Sequence, residues 1–450
     1  SCNGFLDEMP DNRTELNTDQ KIAKLLVSAY ADVSPNELFE LYSDNSDDSG
    51  PTYGYYKLSE QECYHWQDTK EEYQDTPNSL WGGYYSAIAA ANMALNAIEE
   101  KGNPASLDPQ RGEALVCRAY CHFMLANIFC NAYDTHASQS LGVPYMEEVE
   151  TTVSPRYERG TLEEVYRKVE RDLLEGIDLI SDDSYSVPKY HFTRKAAYAF
   201  AARFYLYYMK PDFSNCDRVI DFATRVLGTN PADLLRNWEA LGNLSVNGNV
   251  QADAYIASSN EANLLISSTV SNWGAIGSDY LIGPRYFHNQ TLATSETCLS
   301  SGLWGSSDYF YLKPFSTNGF VASILRKSGL YEGTYLYYMP VLFSTDETLL
   351  CRAEAYALKK MYAQSAADIT SWQRAYTRNK SVLTPEQINT YYDRMSFYTP
   401  FTQQTPKKKL APDFMIEEGM QENFIHCILH IRRITTLHEG CLLYTSYAAD

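Results

Sequence analysis

The sequence predicts a mainly α protein whose helices pack in pairs, interrupted by one irregular, loop-rich stretch. Three observations carry that expectation. Apolar residues recur at helical spacing through most of 18–229 and again from 345. Between 230 and 344 the period is lost and Gly, Ser, Asn and Tyr crowd in. Finally, "EALVCRAYCHF" at 113–123 and "ETLLCRAEAYA" at 347–357 share Glu, Leu, Cys, Arg and Ala at identical offsets. Leu and Ala lie four apart on one face in each, and the small Ala lets a neighbouring helix come close.

The elements follow in order. Thr18 precedes the stripe Ile22, Leu25, Leu26, Ala29 and Tyr30, one side of a helix. Pro77-Asn78 opens a long helix with Trp81, Tyr84, Ile88, Ala91, Leu95 and Ile98 on one face, closed near Gly102. Asp108-Pro109 places a cap and a first-turn proline before a segment apolar nearly all round, which predicts central burial. Thr161 and Glu164 form a capping box for the next helix, and Thr193 starts another, followed at once by its antiparallel partner near 211–231. Ser344 with Glu347, then Thr384-Pro385, start two more. Helix pairs of about 35 residues with small residues at crossings predict a degenerate tetratricopeptide-like superhelix. The divisions expected are a helical region over residues 1–229, a loop-rich region over 230–344 serving as ligand platform, a helical region over 345–440 packing back, and a tail over 441–450.

Charge narrows the function. The 450 residues carry 37 Lys+Arg against 57 Asp+Glu, a net charge of −20, so phosphate backbones are repelled and no nucleic-acid partner is expected. The densest basic run, Lys407 to Lys409, reads as a solvated loop. Ten cysteines with no CxxC exclude a zinc ribbon, and Cys117, Cys121 and Cys351 fall in apolar helical patterns as buried thiols. No HExxH, GxSxG, GxxxxGK[ST] or GxGxxG occurs, so no catalytic residues are assigned and a binding protein is expected. No apolar run reaches the length of a membrane span.

"SCNGFLDEMPDNRTE", "NSLWGGYYSAIAAANMAL", "RGEALVCRAYCHFMLANIFCNAY" with "LGVPY", "LEEVYRKVERDLLEGIDLI", "FTRKAAYAFAARFYLYY" and "DETLLCRAEAYA", in this order, resemble the SusD/RagB family. The resemblance implies a lipoprotein of the outer membrane, lipid-anchored and exposed at the cell surface. It implies a SusC-like TonB-dependent transporter as partner and a polysaccharide, oligosaccharide or peptide as ligand, glycan favoured. Cys2 corresponds to the lipidated cysteine, and the Ser before it is a residue tolerated at that cleavage site. The family continues after "HEG" with an Arg-Trp-rich stretch, whereas "CLLYTSYAAD" reads like translated sequencing adaptor and is expected to be foreign. The competing expectation is a periplasmic adaptor of tetratricopeptide type that binds protein segments and no nutrient.

Aromatic content singles out the ligand candidates, since Tyr and Trp offer flat faces at low entropic cost. Trp81, Tyr84, Tyr85, Tyr198 and Tyr205 lie on helices and are expected in the core. Rings in loops are expected to contact ligand: Trp66, Tyr73, Trp273, Trp304 and Tyr309, with Tyr64 and Tyr311 beside them. Trp273 and Trp304 should converge with rings from 64–73 on one exposed face. "SDNSDDSG" at 43–50 resembles a Ca²⁺ loop, but with Asn45, Asp47, Ser49 and Gly50 aligned, Tyr56 stands where an EF-hand needs Glu. A solvated turn is the expectation; a looser structural Ca²⁺ site is the alternative. His426, Cys427 and His430 read as helix-surface residues and not as a metal site, for want of further ligands.

Overall fold

The structure, a computed structural model, describes residues 16, 18–53, 56–151, 156–245, 250–273, 285–312, 316–317, 320–321, 329–332, 335–400 and 402–440. Cys2 and the tail 441–450 lie outside the described residues. The protein is mainly α. Its helices in chain order are α1 (Asp19–Leu25), α2 (Asn36–Leu41), α3 (Leu58–Tyr64), α4 (Pro77–Glu100), α5 (Asp108–Phe129), α6 (Leu162–Leu179), α7 (Arg194–Tyr207) and α8 (Cys216–Leu227). There follow α9 (Trp238–Gly242), α10 (Val250–Ile256), α11 (Gln290–Glu296), α12 (Thr345–Leu358), α13 (Tyr362–Tyr376), α14 (Pro385–Arg394) and α15 (Met420–Thr435).

Helix starts obey local chemistry. Thr161 accepts from the Glu164 N–H at 3.2 Å while Glu164 accepts from the Thr161 N–H at 2.8 Å, so two otherwise orphaned donors are satisfied at the head of α6. Thr384 and Gln387 do the same for α14, and Ser344 caps α12 by accepting from Glu347 N–H at 3.2 Å.

Two compact units emerge, one of the described residues up to Asp32 with Trp81–Ala197, the other of Val33–Leu80 with the chain from Tyr198 onward. These boundaries differ from those drawn on composition. In the first unit α5 packs along α6, and it is buried on all sides from Gly112 to Ala126 as its composition predicted. The closest approach is between glycines: a Cβ on Gly112 would stand 2.8 Å from the Gly176 carbonyl oxygen, and one on Gly176 2.7 Å from the Gly112 oxygen. In the second unit α12 packs against α8, α13 and α15.

The internal repeat has a physical meaning. Arg118 donates to Asp172 on α6 at 2.7 Å, and Arg352, at the matching offset, holds Asp368 on α13 through two bonds of 2.8 Å. Each pair is buried and joins a helix to the one packed on it within its own unit. Breaking such a pair costs about 3–5 kcal/mol, because one charge is left uncompensated.

The stretch 230–344 holds short helices and the antiparallel strands β2 (Asn263–Ile266), β3 (Thr269–Val270), β4 (Tyr286–Phe287), β5 (Ser316–Thr317), β6 (Phe320–Val321), β7 (Gly329–Glu332), β8 (Tyr335–Tyr338) and β9 (Val341–Ser344). β2 pairs with β9, and β8 lies between β3 and β7. The two-residue strand β1 (Asp47–Asp48) reaches across the sequence to β4, with Asp48 opposite Tyr286.

Several expectations are corrected. His426 and His430 are buried, not on a helix surface. Burial pulls both imidazoles down to about 3, so they are neutral. Lys407 is also buried, its ammonium donating to Tyr392 O at 2.7 Å, so 407–409 is no solvated run. Trp81 is 37% exposed, resting on Tyr85 and Phe129, and is not core. Cys117, Cys121 and Cys351 are buried free thiols as expected.

Candidate functional site

The second unit presents a surface of rings where α2 and α3 end. Glu60 accepts from Lys57 N–H at 3.0 Å and fixes the start of α3. At its other end the Gln67 N–H reaches Glu62 O at 2.8 Å and the Trp66 N–H reaches Cys63 O at 2.9 Å, the double closure of a helix by a left-handed residue. That residue is Trp66, at φ +54°. Glycine is the ordinary occupant of such a position, and an L side chain there costs about 1–2 kcal/mol. The strain presents the indole to solvent: Trp66 is 70% exposed, its ring 4.7 Å from that of Tyr42, the residue that ends α2.

A second group of rings adjoins it through Tyr64 and His65. Tyr64 lies 4.8 Å from Tyr286 at 31°, while Tyr56 and His65 meet Tyr286 edge-on at 5.7 and 5.9 Å. The β1–β4 pairing brings them together, and Arg285 locks it. Its guanidinium grips the Asp48 carboxylate with two bonds of 2.7 Å and lies 5.3 Å from the Tyr56 ring and 5.0 Å from the Tyr286 ring. The Arg285 bond holds Asp48 below its ordinary pKa. Asn289 donates to Asp47 at 2.8 Å. Beyond it Lys408 sits 4.1 Å over the Tyr398 ring and pairs with Asp44 at 3.2 Å and Glu296 at 3.3 Å. Burial works to raise the Asp44 carboxyl, but Lys408 and Arg433 outweigh it and hold it below its usual value. The loop 43–50 therefore spends its side chains on protein partners: Asp48 on Arg285, Asp44 on Lys408, and Asn45 on Arg433 at 3.0 Å.

Beneath the rings lies a buried ionic layer. Lys57 stands 3.6 Å from Glu37 and 3.8 Å from Glu60, with its ammonium 4.8 Å over the Tyr73 ring. Tyr73 also meets Ser59 through its hydroxyl, and burial pushes its phenol up to about 12. Its ring is committed to this layer.

The expected convergence of Trp273 and Trp304 is corrected. Trp273 is 2% exposed, packed on Phe287 and His438, with its indole N–H donating to His438 O at 2.8 Å. Trp304 is fully buried among Phe310, Trp372 and His430, a separate cluster. Both rings are core, because their loops fold back over the helices. Tyr311 is buried too, while Tyr309 stands 43% exposed beside Gly305. Of the rings expected to meet ligand, Trp66 and Tyr64 come together here. Sequence reasoning missed Tyr42, Tyr56, Arg285 and Tyr398, and also Tyr286, which is 2% exposed and backs the surface rings from the core. Some 240 residues separate the β1 and β4 strands that join them, and two-residue strands leave no periodic signal.

The SusD-like family, described as "Starch-binding associating with outer membrane", matches residues 4–206. That match covers the N-terminal part of the chain, in agreement with the resemblance of its motifs to the SusD/RagB family. Among solved structures, a SusD-like carbohydrate binding protein from Bacteroides vulgatus superposes with a TM-score of 0.63 at 14% identity, over 94% of this chain and 82% of that one. A SusD superfamily protein from Bacteroides fragilis gives 0.60 at 14%, over 97% and 90%. A putative sugar binding protein from Bacteroides vulgatus gives 0.59 at 18%, over 95% and 86%. At these identities the superpositions establish the SusD fold, a tetratricopeptide-like helical one. No curated protein matches the sequence. Among the described residues no helix is long and apolar enough to cross a membrane.

Proposed function

We propose that the protein is a surface-exposed outer-membrane lipoprotein that binds glycan and hands it to a SusC-like TonB-dependent transporter, without hydrolysing it. Sugar rings carry apolar C–H faces inside a rim of hydroxyls. Trp66, Tyr42 and Tyr56 supply flat faces for the first, and the carboxylate lone pairs of Asp47 and Asp48 left over from Asn289 and Arg285 supply acceptors for the second. One observation carries the reading: Trp66 occupies a left-handed helix end where glycine would be favoured, yet its ring is spent on solvent exposure. The family description and the sugar-binding neighbours agree with it. Calorimetry of the purified protein against a panel of polysaccharides and peptides tests the reading. Saturable binding of a glycan, lost in Trp66→Gly and unaccompanied by new reducing ends, is the expected result. Binding of peptides alone would overturn it.

A further inference from the structure

Resting on the sugar-binding reading above, we propose that Asp48, Asp44 and Glu296 close this surface to anionic glycans, so that its ligand is an uncharged sugar chain.

Arg285, Lys408 and, deeper, Arg433 and Lys57 each face a carboxylate. Both donor edges used by Arg285 are taken by Asp48 at 2.7 Å. Lys408 lies between Asp44 and Glu296, and Arg433 donates to the same Glu296 at 2.8 Å. Lys57, below, stands between Glu37 and Glu60. A uronate or sulfate arriving at Tyr56 must displace Asp48 from a two-pronged ion pair, a strong kind of hydrogen-bonded contact, and leave that carboxylate unpaired. It must also approach a chain of net charge −20. Sugar hydroxyls meet no such obstacle. Ionised carboxylates accept only, and the lone pairs of Asp47 and Asp48 not used by Asn289, Arg285 and backbone N–H groups suit hydroxyl donors. Asp48 thus acts as a specificity residue. While it holds Arg285, the guanidinium is a rigid wall beside the rings; without it, the same guanidinium is a receptor for carboxylate.

The test is retardation in gels containing soluble polymers: pullulan, dextran and galactan as neutral probes, polygalacturonate and heparin as anionic ones, at about 0.15 M salt. Wild type should be retarded by at least one neutral polymer, through Trp66, and by neither anionic one. Asp48→Asn should gain polygalacturonate binding at least about five-fold tighter than wild type, and high salt should abolish the gain. Asp48→Ser serves as a second variant, and circular dichroism establishes that each is folded. Retardation of wild type by an anionic polymer, lost in Trp66→Gly, would overturn the charge argument and leave the sugar-binding reading standing. So would two folded variants with no gain. Retardation by no polymer at all would overturn the sugar-binding reading, and this inference with it.

Discussion

At the scale of single residues, Trp66 and Trp304 look alike in the sequence and opposite in the structure. Replacing Trp66 by glycine relieves about 1–2 kcal/mol of left-handed strain and forfeits about 0.5–1.5 kcal/mol of ring contact with Tyr42. Trp66→Gly should therefore melt within a few degrees of wild type while binding glycan at least about five-fold more weakly, by analogy with the roughly 1–3 kcal/mol lost when a base-stacking ring is removed. Calorimetry of folding and of binding on the same sample checks both halves, and a large fall in melting temperature would make Trp66 structural. Trp304→Ala should do the reverse and lose about 3–5 kcal/mol in urea titration, since it empties a site closed by Phe310, Trp372 and His430. Both residues are legible in the sequence as loop aromatics, and both do lie outside regular helix and strand. Loop position does not determine exposure, however: the 302–312 loop lies on α13 and α15 as part of their core, while Trp66 is pinned outward by a helix terminus. No pattern of residue types distinguishes the two, because burial of Trp304 depends on contacts with helices much later in the chain.

At the scale of elements, legibility was high where signals are local. The capping box at Thr161, the helix starts at Ser344 and Thr384, and the repeat at 113 and 347 are visible because each needs only a few neighbouring residues. The partners of that repeat, Asp172 and Asp368, are not, since no spacing rule ties an arginine to a carboxylate on another helix. The α5–α6 crossing gives a sharp test. Gly176→Ala would push a Cβ to 2.7 Å from a backbone oxygen that cannot rotate away, so the helices must part, at a cost of about 1–3 kcal/mol. A variant as stable as wild type in denaturant would mean that the two helices separate freely. The α15 histidines offer another test, through pH. The folded value of His426 is about 3, below the unfolded value near 6.5, so its contribution is fully present above pH 6.5 and is lost as pH falls toward 3. The loss amounts to about 1.4 kcal/mol per pH unit. Glu354, raised by burial to about 7, pulls the opposite way, its effect being lost as pH rises toward 7. The stability difference between wild type and His426→Gln isolates the histidine. It should shift against wild type between pH 7 and pH 5 in urea midpoints, and an unchanging difference would show that His426 titrates normally.

At the scale of the whole molecule, net charge and the proposed lipid anchor each make a prediction. In the signal-bearing precursor, Cys2→Ala should abolish acyl labelling and release the protein from the membrane fraction, since several acyl chains hold where one only lingers. Labelling that persists would move the anchor elsewhere. The fold class was legible as a whole because helical period and family motifs run through most of the chain; the binding surface was not, because it is built from pieces far apart in sequence. Net charge acts on the chain irrespective of those details. At −20 the folded protein repels itself. The ion pairs Arg118–Asp172, Arg352–Asp368, Arg432–Glu354 and Arg433–Glu296 are buried and little affected by salt. Half-exposed ones such as Lys168–Glu147 contribute at most about 1 kcal/mol each. Added salt therefore screens mostly repulsion. Raising sodium chloride from low to physiological concentration should lift the melting temperature by about 1 °C in scanning calorimetry, the shift that about 1 kcal/mol produces for a chain of 450 residues. A fall with salt would mean that the surface pairs outweigh the net charge.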